Sequence, residues 1–526
     1  MNGRKVVFIA YQDQENLGVG YLSSMLLSKG FEVETVDFGE SEDEIYRQLE
    51  RADPLMVGFS LIFQYHFPRL QELARHLRVN EINCHFTVGG HYPSLRFEDV
   101  LNGVPEIDSV VRFEGELTVC ELVERLSTGG DWREIEGIAY RRDGKPVSNE
   151  LRPLISDLDA LPFPLRSEKR TFKCMEKNCA FILASRGCVW NCAFCSIRKF
   201  YQTPPGRVRR SRSPANVVKE MKELYRQNEK SIFLFQDDDF FSPGKLGREW
   251  ILAFTHELER EELADKILWK INCRPDEVDA DLFRRLKEVG LRLVYLGIES
   301  GNPTGLQVLN KHLSVEDSIR AVKTLKESGI LYDFGFMLFD PSSTFDSVRT
   351  NLTFLKRVCG DGSSSVVFCK MIPYAETDIE RKLMSQGRLK GSVVNPDYDF
   401  LDPRLDRYYE FLHQTFYEWM FTHTGMLGKL RWHQFEVAVL EKFYPYAKGI
   451  PGYKDSLREI IASSNALFFH IAEEALTIFE GGDQESDSQL QGFVKLQSEE
   501  LERINSKLRE GMREFQQQQT DPDNVS

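Results

Sequence analysis

Short unbroken apolar runs alternate with stretches of helical spacing over the first 130 residues. Lys-Val-Val-Phe-Ile-Ala at 5–10 reads as a buried strand, and residues 17–29 carry apolar positions at helical spacing up to the stop signal Gly30. The alternation continues, with strands expected near 32–37, 55–60, 84–88 and 108–112 and helices near 42–51, 66–78, 94–102 and 116–126. Continuous apolar strands predict a parallel, doubly wound α/β sheet with helices on both faces. Ligands on such sheets sit beyond the carboxyl ends of the strands, here the loops 11–18, 60–65, 89–94 and 113–116.

The pattern changes over 131–172. Residues 137–147 read as a hairpin turning at Asp143-Gly144, and the prolines of 154–164 mark an ordered connector. From Phe181-Ile-Leu-Ala184 the β-α pattern resumes, with further strands expected at 231–235, 267–273, 293–298, 331–338 and 365–372. These six units occupy 173–394, and polar residues at their strand ends are the candidates for chemistry. Beyond about 395 helices take over, at 405–424, 432–443, 456–479 and 488–518, forming a helical C-terminal region to 515. They either close over the unit before them or simply pack on it. Residues 516–526 are nearly devoid of apolar side chains and are expected to be disordered.

Length and charge narrow the classes. A chain of 526 residues implies about three domains, and 41% hydrophobic with 28% charged residues is an ordinary globular composition. The net charge of −14 argues against general binding to nucleic acid or anionic membrane. No apolar stretch reaches the length of a membrane span, and the N-terminus lacks a signal-peptide pattern. Ten cysteines, three of them clustered, suit a reducing cytoplasm rather than a disulfide framework.

Those three are Cys188, Cys192 and Cys195, in a C-x3-C-x2-C loop that leaves the end of the 181–184 strand. Thiolates select iron–sulfur clusters, copper(I) or zinc. A closed site wants four ligands, and no fourth Cys or His follows closely. Three thiolates on a cube of four irons leave one iron open; the plainer alternative is a zinc knuckle or three structural thiols. The spacing, with Phe194 before the last Cys, resembles the signature of radical S-adenosylmethionine (SAM) enzymes.

That resemblance implies a partial (β/α)6 barrel with a 4Fe-4S cluster on the three cysteines and SAM on the open iron. It implies SAM contacts at Phe194, at Asp237 and Asp238 ending the second strand, and at Arg274 ending the third. Glu299 and Ser300 in the G-x-E-S-G run, and Tyr374 after the sixth strand, complete that set. The basic run Arg207-Val-Arg-Arg-Ser-Arg212 lacks interleaved aromatics and reads as a helix-entry clamp or a solvated face.

Upstream, Val88-Gly-Gly-His-Tyr-Pro-Ser94 and Val111-Arg-Phe-Glu-Gly-Glu-Leu-Thr118 look like the loops of the cobalamin-binding domain of class B radical SAM enzymes, over roughly 1–130. The implied cobalamin contacts are Glu15, Leu17, Gly18, Ser60, Gln64, Gly89, Gly90, His91, Glu114, Gly115 and Glu116. Many cobalamin proteins carry D-x-H-x-x-G after the first strand. Here Glu15 stands where that His would be, so no histidine of this loop is expected below the cobalt.

The resemblance implies a methyltransferase that moves a methyl group from SAM, via methylcobalamin, to an unactivated carbon of a small metabolite in natural-product assembly. An external electron donor of flavodoxin or ferredoxin type would reduce the cluster. A sibling reading keeps both cofactors but ends in cyclisation, ring contraction or rearrangement. From another class, the chain would be a non-catalytic cobalamin-binding regulator.

Overall fold

The computed structural model describes residues 5–12, 15–166, 172–422, 425–482, 499–513 and 515. Two largely parallel sheets dominate it. In the first, β1 (Lys5–Ala10), β2 (Glu32–Asp37), β3 (Met56–Ser60), β4 (His85–Gly89) and β5 (Ser109–Val111) run parallel in the order β2-β1-β3-β4-β5. Helices cover both faces, so β1 is buried from Val6 to Ala10. The order reverses between β1 and β3, where open sheets make their binding crevice. The hairpin β6 (Ile138–Arg142) and β7 (Lys145–Ser148) turns through Asp143 and Gly144, both at positive φ as a two-residue type I′ turn requires. Expected in the connector, it runs antiparallel along β5 and widens the first sheet.

The second sheet begins with β8 (Lys173–Cys174), antiparallel to β9 (Lys177–Ile182). A two-residue ladder of β10 (Ser185–Arg186) and β11 (Arg210–Ser211) brackets the cysteine loop. Then follow β12 (Lys230–Phe235), β13 (Leu268–Cys273), β14 (Leu291–Glu299), β15 (Leu331–Phe339) and β16 (Cys369–Lys370). The strands β9-β12-β13-β14-β15-β16 are all parallel, the half-barrel that the resemblance implies. The sixth strand is shorter than the expected 365–372. Asn465, from a C-terminal helix, binds the Val366 amide at 3.0 Å and the Ser364 carbonyl at 2.9 Å, taking backbone groups that a ladder would use. A small hairpin, β17 (Leu389–Gly391) with β18 (Pro396–Tyr398), carries strand structure just past the expected boundary at 395.

Alternation sorts the barrel strands into two faces. Trp269, Ile271, Val294, Leu296, Phe334 and Phe336 pack outward into the helix layer. The opposite positions, Lys270, Tyr295, Gly297, Asp333 and Gly335, therefore face the lumen. Helix Met426–Phe443 plugs the amino end of that lumen. Its Phe435 and Val439 pack against Cys179, Ile232 and Leu268, with Phe443 and Leu293 beside them. Helices Pro403–Phe416 and Ile450–Gly481 pack outside the barrel. Residues 499–513 are helical, whereas the rest of the expected last helix and the expected disordered tail 516–526 lie outside the described residues, save Phe515.

Candidate active site

The cysteine loop is held from every side. Gly187 sits at φ +82 with a Cβ position 1.9 Å from the Val208 carbonyl, so only glycine fits where the chain enters. The Ala193 amide donates to Leu309 O at 2.9 Å and its carbonyl accepts from Ile379 at 3.2 Å. Asn310 reaches the Asn191 carbonyl at 2.9 Å, and the His312 ring lies 3.0 Å from the Asn191 amide oxygen. Cys188, Cys192 and Cys195 are all free and half-buried. Burial pushes Cys188 and Cys195 to about 12, so thiolates there need a cation. Among the described residues no three ligands converge on a single metal ion. Three half-buried thiols carried on one loop fit three corners of a four-iron cluster with one iron left open.

The expected SAM residues gather around this loop but do different work. Asp237 accepts the Ser185 hydroxyl at 2.5 Å and the Ala184 amide at 3.1 Å, and Asp238 accepts the Gly187 amide at 3.0 Å. Both staple the base of the loop, and burial raises each to about 6. Arg274 lies 3.7 Å over the Trp190 ring and bonds Asp276 at 3.0 Å, leaving a buried Nη1 without a partner among the described residues. Glu299 adopts φ +66 and pairs with Lys311 at 3.1 Å. Its neighbour Ser300 is fully buried and binds Asn351 and the Asn302 amide, so it shapes the turn rather than lining the cavity. Phe194 packs on the barrel core, and Tyr374 faces Phe63 of the first sheet at 6.4 Å between centroids.

The first-sheet loops meet the barrel edge to edge. Glu15 accepts the Phe181 amide at 2.8 Å and pairs with Arg166 and Lys230, each at 3.2 Å. Glu114 pairs with Arg186 at 3.2 Å and Arg210 at 2.9 Å, and Glu116 with Arg186 at 2.5 Å. Burial alone would raise Glu114, but Arg186 and Arg210 hold it below the usual carboxylate range. These three carboxylates, expected at cobalamin, are consumed at the domain interface, because the cations opposite them are buried too. Gln64 is likewise a bridge, donating to Val393 O and accepting the Ala375 amide at 3.0 Å. Leu17 packs on Phe181 and Leu161, with Gly18 behind it in helix Leu17–Ser28. Gly115 caps helix Glu116–Thr128.

Ser60 pairs with Gly89 across β3 and β4. Gly90 sits at φ +117 with its Cβ position 2.2 Å from Leu61 O, which forces glycine there. His91 is half-buried with its ring on Phe200 at 4.2 Å between centroids, its Nε2 fully covered, and that burial lowers it to about 4. Three large apolar side chains are exposed at this edge. Ile62, Phe63 and Tyr65 are 42%, 42% and 52% exposed. Phe63 and Tyr65 stack at 5.2 Å, a flat surface that a corrin would cover, so the edge fits that cofactor through aromatic and backbone groups.

Sequence reading missed the partners: Arg166, Arg186, Arg210 and Lys230 at the interface, and Lys311 beneath Glu299. The run at 207–212 was the available signal. Arg212 does clamp the entry of helix Pro214–Asn228 through Glu220 at 2.5 Å, but Arg209 and Arg210 turn inward to the loop and the first sheet.

Residues 3–123 match the B12 binding domain and residues 182–354 the Radical SAM superfamily. The chain is 30% identical over 350 residues to an uncharacterised methyltransferase of Pyrococcus horikoshii, covering 65% of this chain and 73% of that one. It is also 30% identical over 347 residues to the anaerobic magnesium-protoporphyrin IX monomethyl ester cyclase of Rubrivivax gelatinosus, covering 63% of this chain and 60% of the cyclase. In three dimensions it matches OxsB, a cobalamin-dependent SAM radical enzyme solved with aqua-cobalamin and SAM, at TM-score 0.68 and 18% identity over 98% of this chain and 80% of that one. TsrM from Kitasatospora setae, a radical SAM methyltransferase, matches at TM-score 0.61 and 18% identity over 73% of this chain and 76% of that one.

Proposed function

The chain belongs to the class B radical SAM enzymes, which join a cobalamin-binding domain to a cluster-bearing barrel, and from that premise we propose that it transfers a methyl group from SAM, by way of cobalamin, to an unactivated carbon of a small metabolite. The observation that carries the reading is the facing of the two carboxyl edges, with Arg186 beside the cysteine loop gripped by Glu114 and Glu116 of the first sheet. When bound, the cluster with SAM supplies a primary carbon radical and the cobalamin a transferable methyl group.

The chain's own residues orient and shield. Cys188, Cys192 and Cys195 hold three corners of the cluster, and Asp237 and Asp238 fix the loop that carries them. Arg274, kept planar on Trp190, offers its free Nη1 to the SAM carboxylate. Glu299, oriented by Lys311, accepts SAM hydroxyls. Ile62, Phe63 and Tyr65 bed the corrin, and helix Met426–Phe443 keeps water out of the barrel's lower end. A flavodoxin- or ferredoxin-type protein supplies the electron, in a reducing cytoplasm that suits free thiols. Among the described residues no helix is long and apolar enough to cross a membrane.

The cyclase of Rubrivivax gelatinosus, as similar as the methyltransferase, favours a second reading in which both cofactors serve a cyclisation or rearrangement. Product analysis of the reconstituted protein with methyl-deuterated SAM and a low-potential reductant separates the two. A methyltransferase forms S-adenosylhomocysteine up to the amount of bound cobalamin in a single turnover. Only 5′-deoxyadenosine, with no S-adenosylhomocysteine, would favour the rearrangement.

A further inference from the structure

The barrel lumen carries a polar floor that neither the cluster nor the SAM set uses. Lys270, Tyr295 and Asp333 lie in mid-strand on β13, β14 and β15, and Tyr295 pairs in register with Asp333. Immediately above them, Gly297 pairs with Gly335, so two neighbouring strands present no side chain at that level. A methyl group at Gly335 would lie 3.0 Å from the Tyr295 hydroxyl and 3.2 Å from Glu299 Oε2. A methyl group at Gly297 would likewise lie 2.8 Å from Lys311 Nζ, so the two glycines make room for Tyr295, Glu299 and Lys311 to converge above the floor. Tyr295 remains 39% exposed in the middle of a buried sheet, so solvent reaches the floor.

Two cations converge on this floor. The plug helix sends Arg431 up from the row continued by Phe435 and Val439, and it meets Asp333 at 3.4 Å. The Arg431 Nε is buried with no partner among the described residues. Lys270 spends one donor on the Asn272 side chain and stands 5.8 Å over the Tyr295 ring. Burial lowers its ammonium to about 8, the mark of a cation short of an anion. Above, Glu299 is already matched by Lys311. Lys270 and Arg431 thus both face Asp333, itself disfavoured as an ion by burial, while Asp237, the other carboxylate that Lys270 senses, is held on the Ser185 hydroxyl and the Ala184 amide.

Resting on the reading of this lumen as the substrate chamber, we propose that the substrate carries an anionic group, carboxylate or phosphate, seated between Lys270 and Arg431. Tyr295 flanks that group, and the carbon to be modified points up past Gly297 and Gly335 toward the strand ends.

Cys369 reports on the same space, since its thiol senses both Arg431 and Glu299. The test alkylates reconstituted holoenzyme with iodoacetate or iodoacetamide and reads Cys369 by peptide mass spectrometry. The lumen charge should favour iodoacetate by about fivefold over the ratio seen with glutathione. Lys270→Met and Arg431→Gln should each erase most of that preference, with cluster and corrin contents unchanged. Protection by inorganic phosphate would point to a phosphorylated substrate, and protection by acetate to a carboxylate. A ratio equal to that of glutathione, read at a pH that ionises Cys369, whose thiol burial pushes up to about 11, would overturn the inference. Missing cluster or corrin would instead count against the functional reading.

Discussion

Glu15, Glu114 and Glu116 stand at the carboxyl edge of the first sheet as Asp237, Asp238 and Glu299 stand at that of the barrel, yet the two groups face opposite ways. The first three reach across to cations of the neighbouring domain and its connector. The barrel carboxylates stay within their own domain, on the cysteine-loop backbone and on Lys311. On the proposed reading the first sheet is thereby left to hold a flat cofactor through glycine backbone and aromatic rings, while the barrel orients small polar groups around three thiols. Charge conspicuous at a strand end marks a ligand site only when no second domain lies opposite to claim it.

Removing one thiol breaks this division most sharply. Cys192→Ala should abolish 5′-deoxyadenosine formation and the visible absorbance of the cluster, while corrin retention persists, because the first sheet uses none of the barrel's ligands. Loss of both cofactors together would mean that the two edges are not independent.

Next in size is the interface. Arg186→Met leaves Glu116 buried without its cation, which costs about 3–5 kcal/mol in unfolding free energy, measurable by urea denaturation. Replacing Glu116 with Leu in the same protein should recover part of that loss, since two apolar groups need no solvation. Gly90→Ala tests the other edge. Its φ of +117 and the approach to Leu61 O predict a cost of about 1–3 kcal/mol and a fall in retained corrin, with cluster content unaffected.

The smallest effect concerns pH. His91 titrates near 4 in the fold against 6.5 when free, because it is buried. The unfolded chain therefore binds the proton first, so this residue's share of stability is complete above 6.5 and drains as pH falls toward 4. At pH 5.5 about 1.4 kcal/mol of it has been lost, and His91→Leu should flatten that part of the stability profile.

Much of the architecture was legible in advance because parallel strands buried on both faces announce themselves as unbroken apolar runs. The run at 5–10 falls where patterning puts it, and the edge strand at 32–37 showed instead as alternation, Glu-Val-Glu-Thr-Val-Asp, with only Val36 fully buried. The cysteine loop was legible too, since three soft ligands at short spacing on a strand end have few other uses. Pairing between domains was not. Nothing local distinguishes Glu114 on a corrin from Glu114 on Arg186 and Arg210, residues 72 and 96 positions away in the chain. The lumen polar floor left a fainter trace, a Lys in Leu-Trp-Lys-Ile-Asn-Cys and an Asp in Leu-Tyr-Asp-Phe-Gly-Phe. Charges in mid-strand on a covered sheet demand a partner, and that partner came from a helix about 100 residues later in the chain.

The claim on which the rest depends is that one chamber between the two edges serves both cofactors, and bound corrin per chain tests it most directly. After anaerobic cluster reconstitution with hydroxocobalamin and desalting, absorbance should give close to one corrin per chain beside an intact cluster. A protein that keeps its cluster and SAM cleavage but retains no corrin would contradict the account.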